Sequence, residues 1–221
     1  MLPRVTRLII ALIVGLIPGC ASVQLISQQS VENKIAQVKL GVTTMGEVET
    51  LFGTQHGSEE RRWFYNLSDT TFEISERKTG TLSGVFPVAP ATVATNTRAL
   101  ISVRFTDSGK VSALEVARFF DPPFNNDYWY LTKDDAQNIL ESVMRAAEAN
   151  AFRVAESDKP AGMLTLEDGA SHARVVVKLE HQTLHITSTN PHDRLTSEYR
   201  VFSKKERAFT NHVSAADFCI K

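Results

Sequence analysis

Two periods of apolar spacing alternate along this chain. Val31, Ile35 and Val38 recur at helical intervals, which predicts a short helix that stops near Gly41. Thr44 and Glu47 then fit a capping box, with Thr44 as the N-cap of a second helix. Val48, Leu51 and Phe52 share one face of that helix, and Gly53 supplies its stop. Beyond it the period drops to two. Trp63, Tyr65 and Leu67 alternate with Arg62, Phe64 and Asn66, a strand pattern, and Thr70 to Ile74 reads as a second strand. Ile101, Val103 and Phe105 alternate with Ser102, Arg104 and Thr106; Asp107-Ser108-Gly109-Lys110 turns the chain, and Val111 to Ala117 returns as the hairpin partner.

Asp121-Pro122-Pro123 is the expected domain boundary, flanked by Phe119, Phe120, Phe124, Tyr128, Trp129 and Tyr130. That aromatic density is too high for a solvated linker and predicts a weld between the halves. The second half opens with Thr132 as an N-cap, Asp134 and Asp135 in the first turn, and Ile139, Leu140, Val143, Met144 and Ala147 on the apolar face. Phe152 to Ala155 reads as a strand. Met163–Glu167 and Ala173–Leu179 form a hairpin around Asp168-Gly169, and Leu184–Thr189 adds a further strand. Leu195, Tyr199, Phe202, Phe209, Val213 and Ala216 close the chain as one or two amphipathic helices. The expected class is α+β in two domains, residues 30–121 and 122–221, each with an antiparallel sheet.

The start of the chain follows a different rule. Arg4 and Arg7 precede an apolar run from Leu8 to Ile17, and Pro18-Gly19 precede Cys20. A basic start, an apolar stretch and a small residue at the cut are the parts of a secretory signal. The run is too short for a bilayer core, which needs about 20 residues. Ile17-Pro18-Gly19-Cys20 resembles a bacterial lipobox, in which cysteine becomes the acylated N-terminus. Residues 1–19 are then a lipoprotein signal, residues 20–29 a tether, and Cys20 the anchor; several acyl chains hold firmly where one does not. Ala21 and Ser22 follow in place of an inner-membrane retention aspartate, so the expected place is the periplasmic face of a Gram-negative outer membrane. If Cys20 is acylated, Cys219 has no partner in the chain, and it is either buried on a C-terminal helix or open to intermolecular pairing. The formal net charge of −1 gives no electrostatic case for nucleic acid or for anionic lipid.

Val38-Lys39-Leu40-Gly41-Val42-Thr43-Thr44-Met45-Gly46-Glu47-Val48-Glu49-Thr50-Leu51-Phe52-Gly53, the aromatic strand Trp63-Phe64-Tyr65, and the hairpin with Val103, Phe105, Gly109 and Val111 resemble the SmpA/OmlA (BamE-like) outer-membrane lipoprotein family. The resemblance covers about residues 30–118. Thr54-Gln55 stand where that family carries proline, and the excursion from Glu76 to Thr97 is longer than the family's. It implies a helix–helix–sheet module in the cell envelope, whose partners are envelope proteins.

Candidate chemistry is sparse. No phosphate loop, dinucleotide fingerprint or nucleophile elbow is present, so no cofactor is expected. His181 and His185 stand four apart but flank a turn into a strand, a poor arrangement for shared metal coordination. Nothing assembles a nucleophile, a base and an orienting group, so a non-catalytic binding or scaffolding role is expected. The candidate partner surface is Trp63 and Tyr65 on the aromatic strand, the uncharged loop around Phe86, and Trp129; core packing is the competing role for Trp63 and Tyr65. Two other classes stay open: a ligand-binding or enzyme-inhibitor module, and a hydrolase with dispersed site residues in which His181 or His185 meets a carboxylate.

Overall fold

The helical and strand periods become four helices and nine strands in a computed structural model, which describes residues 31–75, 91–118 and 124–220. In chain order they are α1 (Val31–Gln37), α2 (Met45–Phe52), β1 (Gly57–Glu59), β2 (Arg62–Ser75), β3 (Ala91–Phe105), β4 (Val111–Arg118) and β5 (Phe124–Leu131). Then come α3 (Ala136–Ala149), β6 (Arg153–Asp158), β7 (Met163–Glu167), β8 (Arg174–Glu180), β9 (Thr183–Asn190) and α4 (Ser197–Ala215). The capping box forms as its sequence dictates. The Thr44 N–H donates to Glu47 Oε2 at 2.7 Å, and Thr44 Oγ1 accepts from the Glu47 N–H.

The strands form a single antiparallel sheet in the order β1-β2-β3-β4-β5-β9-β8-β7-β6. The α+β class therefore holds, with one sheet where two were expected. Phe124 to Leu131, expected to weld two domains, is itself a strand, paired with β4 on one side and β9 on the other. The sheet does not divide at the expected boundary near Asp121, and residues 31–221 cluster as one unit.

What divides is the apolar core. The first cluster lies on the face of the sheet toward α1 and α2, here the upper face. Val31, Ile35, Val48 and Phe52 pack there on Tyr65, Ile101, Val103, Leu114 and Val116. The second cluster lies on the lower face, where α3 and α4 bring Ile139, Val143, Phe202 and Phe209 onto Tyr130, Leu166, Val175, Val177, Leu184 and Ile186. β5 serves both: Trp129 packs with the first cluster, while Tyr130 belongs to the second. Alternation along a strand makes this possible, since neighbouring side chains leave by opposite faces.

Two local expectations are corrected. α3 is capped by Asp135, whose side chain accepts from the Asn138 N–H at 3.0 Å, and not by Thr132. Thr132 is buried in a bridge to Cys219. Cys219 is buried as one of the two expected alternatives required, but beyond the end of α4, where its Sγ points to the Val213 carbonyl. The C-terminal apolar period resolves into one helix, α4.

Candidate interaction surface

The upper face changes character between β5 and β9. Over β2 to β5 it carries the helical layer; over β9 it presents Thr183, His185, Thr187 and Thr189, all half-buried. Trp129 stands at this step. It pairs across the strands with His185, and the two rings stack with centroids 4.7 Å apart and planes 9° from parallel.

His185 is held in that pose from one side. Its Nε2 lies 2.9 Å from Asp127 Oδ1, and the Thr187 hydroxyl donates to the same oxygen at 2.7 Å. The other oxygen, Asp127 Oδ2, accepts from Arg118. Arg118 also reaches across to α1, donating to both carboxylate oxygens of Glu32 at 2.7 and 2.8 Å. Burial works against the charge on Asp127, yet the His185 and Thr187 bonds and the Arg118 guanidinium outweigh it and hold the carboxyl below its usual range. A line of side chains thus runs from the first turn of α1 through the sheet to the ring that backs Trp129.

Beside Trp129 lies a groove of about 400 Å³, lined by Ile35, Val38, Lys39, Leu40, Leu114 and Thr183. That volume falls within the range of about 300–1,000 Å³ typical of ligand sites. A larger hollow of about 850 Å³ sits at the β1–β2 turn, lined by Glu59, Glu60, Arg61, Arg62, Arg104 and Phe105. Its guanidiniums are occupied within the fold: Arg61 pairs with Asp107, Arg62 with Glu115, and Arg104 reaches the Ser214 carbonyl at the end of α4.

The expected site residues separate. Tyr65 is 2% exposed and packs against Phe52, so it presents no surface. Trp63 is half-buried, edge-on to Phe105 in the upper core. Trp129 keeps part of its surface and lines the groove. Cys20, the signal and tether, and Phe86 lie outside the described residues. The sequence singles out His185 but not its partners: Arg118, Asp127 and Glu32 stand unmarked because the links span up to 86 positions. The one local signal was the phase of Asn125, Asp127 and Trp129 along a strand that resembled a linker.

His185 does meet a carboxylate, the condition that would favour a hydrolase, but the geometry is wrong for a relay. Asp127 and Thr187 both contact Nε2, whereas a relay needs the acid on one ring nitrogen and the nucleophile on the other. His181 sits apart and exposed in the β8–β9 turn, at φ 54°. Among the described residues no group of three or more His, Cys, Asp or Glu is placed to hold a metal ion. Among the same residues no helix is long and apolar enough to cross a membrane.

Comparison with protein-family models, curated proteins and solved structures returns no match for this chain.

Proposed function

We propose that this chain is a lipid-anchored, non-catalytic module on the periplasmic face of a Gram-negative outer membrane, where it binds or scaffolds envelope proteins. The observation that carries the binding half is the Trp129 groove. A stacked, half-exposed tryptophan beside an apolar hollow has the composition of a protein-contact hot spot, where Trp is enriched and charge is scarce. The anchoring half rests on the residues before Cys20 and on the polar tether from 20 to 29. The resemblance of residues 30–118 to the SmpA/OmlA lipoproteins supports the same compartment, and the helix–helix start followed by a long antiparallel hairpin is compatible with it.

Two measurements test the halves separately. Cys20→Ala should abolish palmitate labelling and release the protein from membranes; unchanged labelling removes the anchor. A photo-reactive residue in place of Thr183 at the groove should capture a discrete envelope protein in intact cells, while one in place of Ala155 on the exposed edge of β6 should not. Equal capture at both positions, or none at either, refutes the docking surface.

The volume of the groove also favours the ligand-binding alternative. Native mass spectrometry of the purified protein, showing a bound small molecule that a bulky residue in place of Leu114 expels, would select it over a protein partner.

A further inference from the structure

The two ends of α1 are secured differently. Beyond its C-terminal end the chain is pinned to the β3–β4 hairpin by backbone bonds. The Gly41 N–H donates to the Val111 carbonyl at 2.8 Å, the Val111 N–H to Thr43 at 2.9 Å, and the Met45 N–H to Gly109 at 3.1 Å. The helix itself, by contrast, is joined to the sheet through side chains: Val31 and Glu32 hold the first turn, buried and clasped by Arg118 respectively, and Ile35 is buried one turn on. A helix of seven residues is too short to persist without such contacts. Beneath its second half the packing is incomplete, since the groove against Trp129 opens there between Ile35, Ala36, Val38 and Leu114.

From these observations we infer that α1 is a lid over the Trp129 groove, hinged at Gln37–Val38 and latched by Glu32 on Arg118. Arg118 suits the latch because Asp127 holds it in place whether or not Glu32 is present, and its side chain is only 10% exposed. The catch is therefore pre-formed, and only the Glu32 side has to release. When the first turn lifts, Ile35 leaves the upper core, and Leu114 and Trp129 are uncovered while the pinned loop from 39 to 45 stays put. Val31 follows directly on the expected tether, so tension on the anchor pulls on the latched end and not on the hinge. This regulatory role rests on the docking reading of the groove; the lid itself does not.

The test uses the full chain in detergent with Trp63→Phe, leaving Trp129 as the one fluorescent indole of the two in the sequence. Glu32→Gln removes the latch charge with little change in shape. Amide exchange in residues 31–37 should rise by up to about fivefold, the equivalent of about 1 kcal/mol for a pair exposed on one side. Acrylamide quenching of Trp129 should rise with it, while amides of β8 and β9 keep their protection. Salt at about 1 M should move the parent protein the same way and leave Glu32→Gln unchanged. Unchanged exchange in residues 31–37 overturns the lid, and so does a loss of protection across the whole sheet. No partner is needed for this result. If the lid opens as described and the groove cross-linker still captures nothing, the docking reading fails and the lid stands.

Discussion

Lys205→Met tests the physics of the second core. Asp168, 1% exposed at the β7–β8 turn, accepts from Lys205 Nζ at 2.7 Å and from the Ser171 hydroxyl at 2.6 Å. Burial opposes its charge, but the ammonium, the hydroxyl and the backbone at Ala170 prevail and hold the carboxyl below its usual range. Removing one partner of a buried pair costs about 3–5 kcal/mol. Here two donors stay with Asp168 and the lysine is partly solvated, so the expected loss is about 2–3 kcal/mol at neutral pH. For a chain of this size that is a fall of about 5–10 °C in Tm. The pH dependence gives the sharper check. A carboxyl depressed in the folded state contributes stability above its unfolded value of about 3.9, and that contribution disappears as pH falls through the folded value. Without the Lys205 ammonium the folded value moves up toward the unfolded one, so much of that contribution is missing from the variant. The gap between parent and variant should therefore hold from about pH 7 to about pH 5 and narrow below that, as Asp168 in the parent takes up its proton. Chemical denaturation across that range measures it. Parallel stability curves, or a gap under about 1 kcal/mol at neutral pH, would refute the argument.

Three further outcomes follow from packing and burial. Gly162 sits at φ +69° with the space for a Cβ only 2.7 Å from the Leu179 carbonyl oxygen, so Gly162→Ala should cost about 1–3 kcal/mol by denaturation; a neutral result would mean the β6–β7 turn re-forms freely. The Tyr65 hydroxyl is buried without a hydrogen-bond partner among the described residues, and burial followed by the nearby Glu49 charge pushes its pKa up to about 12. Tyr65→Phe should then leave stability unchanged or raise it by up to about 1 kcal/mol. Burial also drives Tyr128 and Tyr130 well above the ordinary value, so at about pH 11 Tyr65, Tyr128 and Tyr130 should remain protonated by ultraviolet difference spectroscopy while the protein stays folded. This stabilisation is present below about pH 10 and is lost as pH rises above it.

Local signals carried the helices and hairpins. The Thr44 capping box, the Asp107–Lys110 turn and the alternation at Trp63–Leu67 each contain their cause within a few residues, and each element formed where that cause stood. Thr132 failed as a cap because a better one, Asp135, lies three residues on, where its carboxylate can reach the Asn138 amide. The expectation of two sheets failed for a longer-range reason. A proline pair with aromatics around it has the composition of a joint, but Phe124, Tyr128 and Tyr130 face one core while Trp129 faces the other, which fills both phases of the strand. A strand buried on both faces shows no alternation and so hides from a period-two search.

That double burial also determines where the candidate surface lies. If the helical layer lies above the sheet on one side of β5 and below it on the other, the upper layer must end over β5, and a residue pointing up from there is half-covered at best. Trp129 occupies that position. Its neighbour across the step, His185, belongs to a strand whose upper face carries none of the described helices, so the indole is supported by a stacked ring in place of a packed aliphatic side chain. The support has to be polar to survive on an open face, and Asp127 and Thr187 provide it in the next position along the same two strands, with Arg118 joining from β4. The groove, the stack and the α1 latch are thus consequences of one topological fact, the insertion of β9 beside β5. A substitution that unpairs those strands should remove all three together: proline in place of Ile186, at the middle of the register with Tyr128, would test whether they are one feature or three.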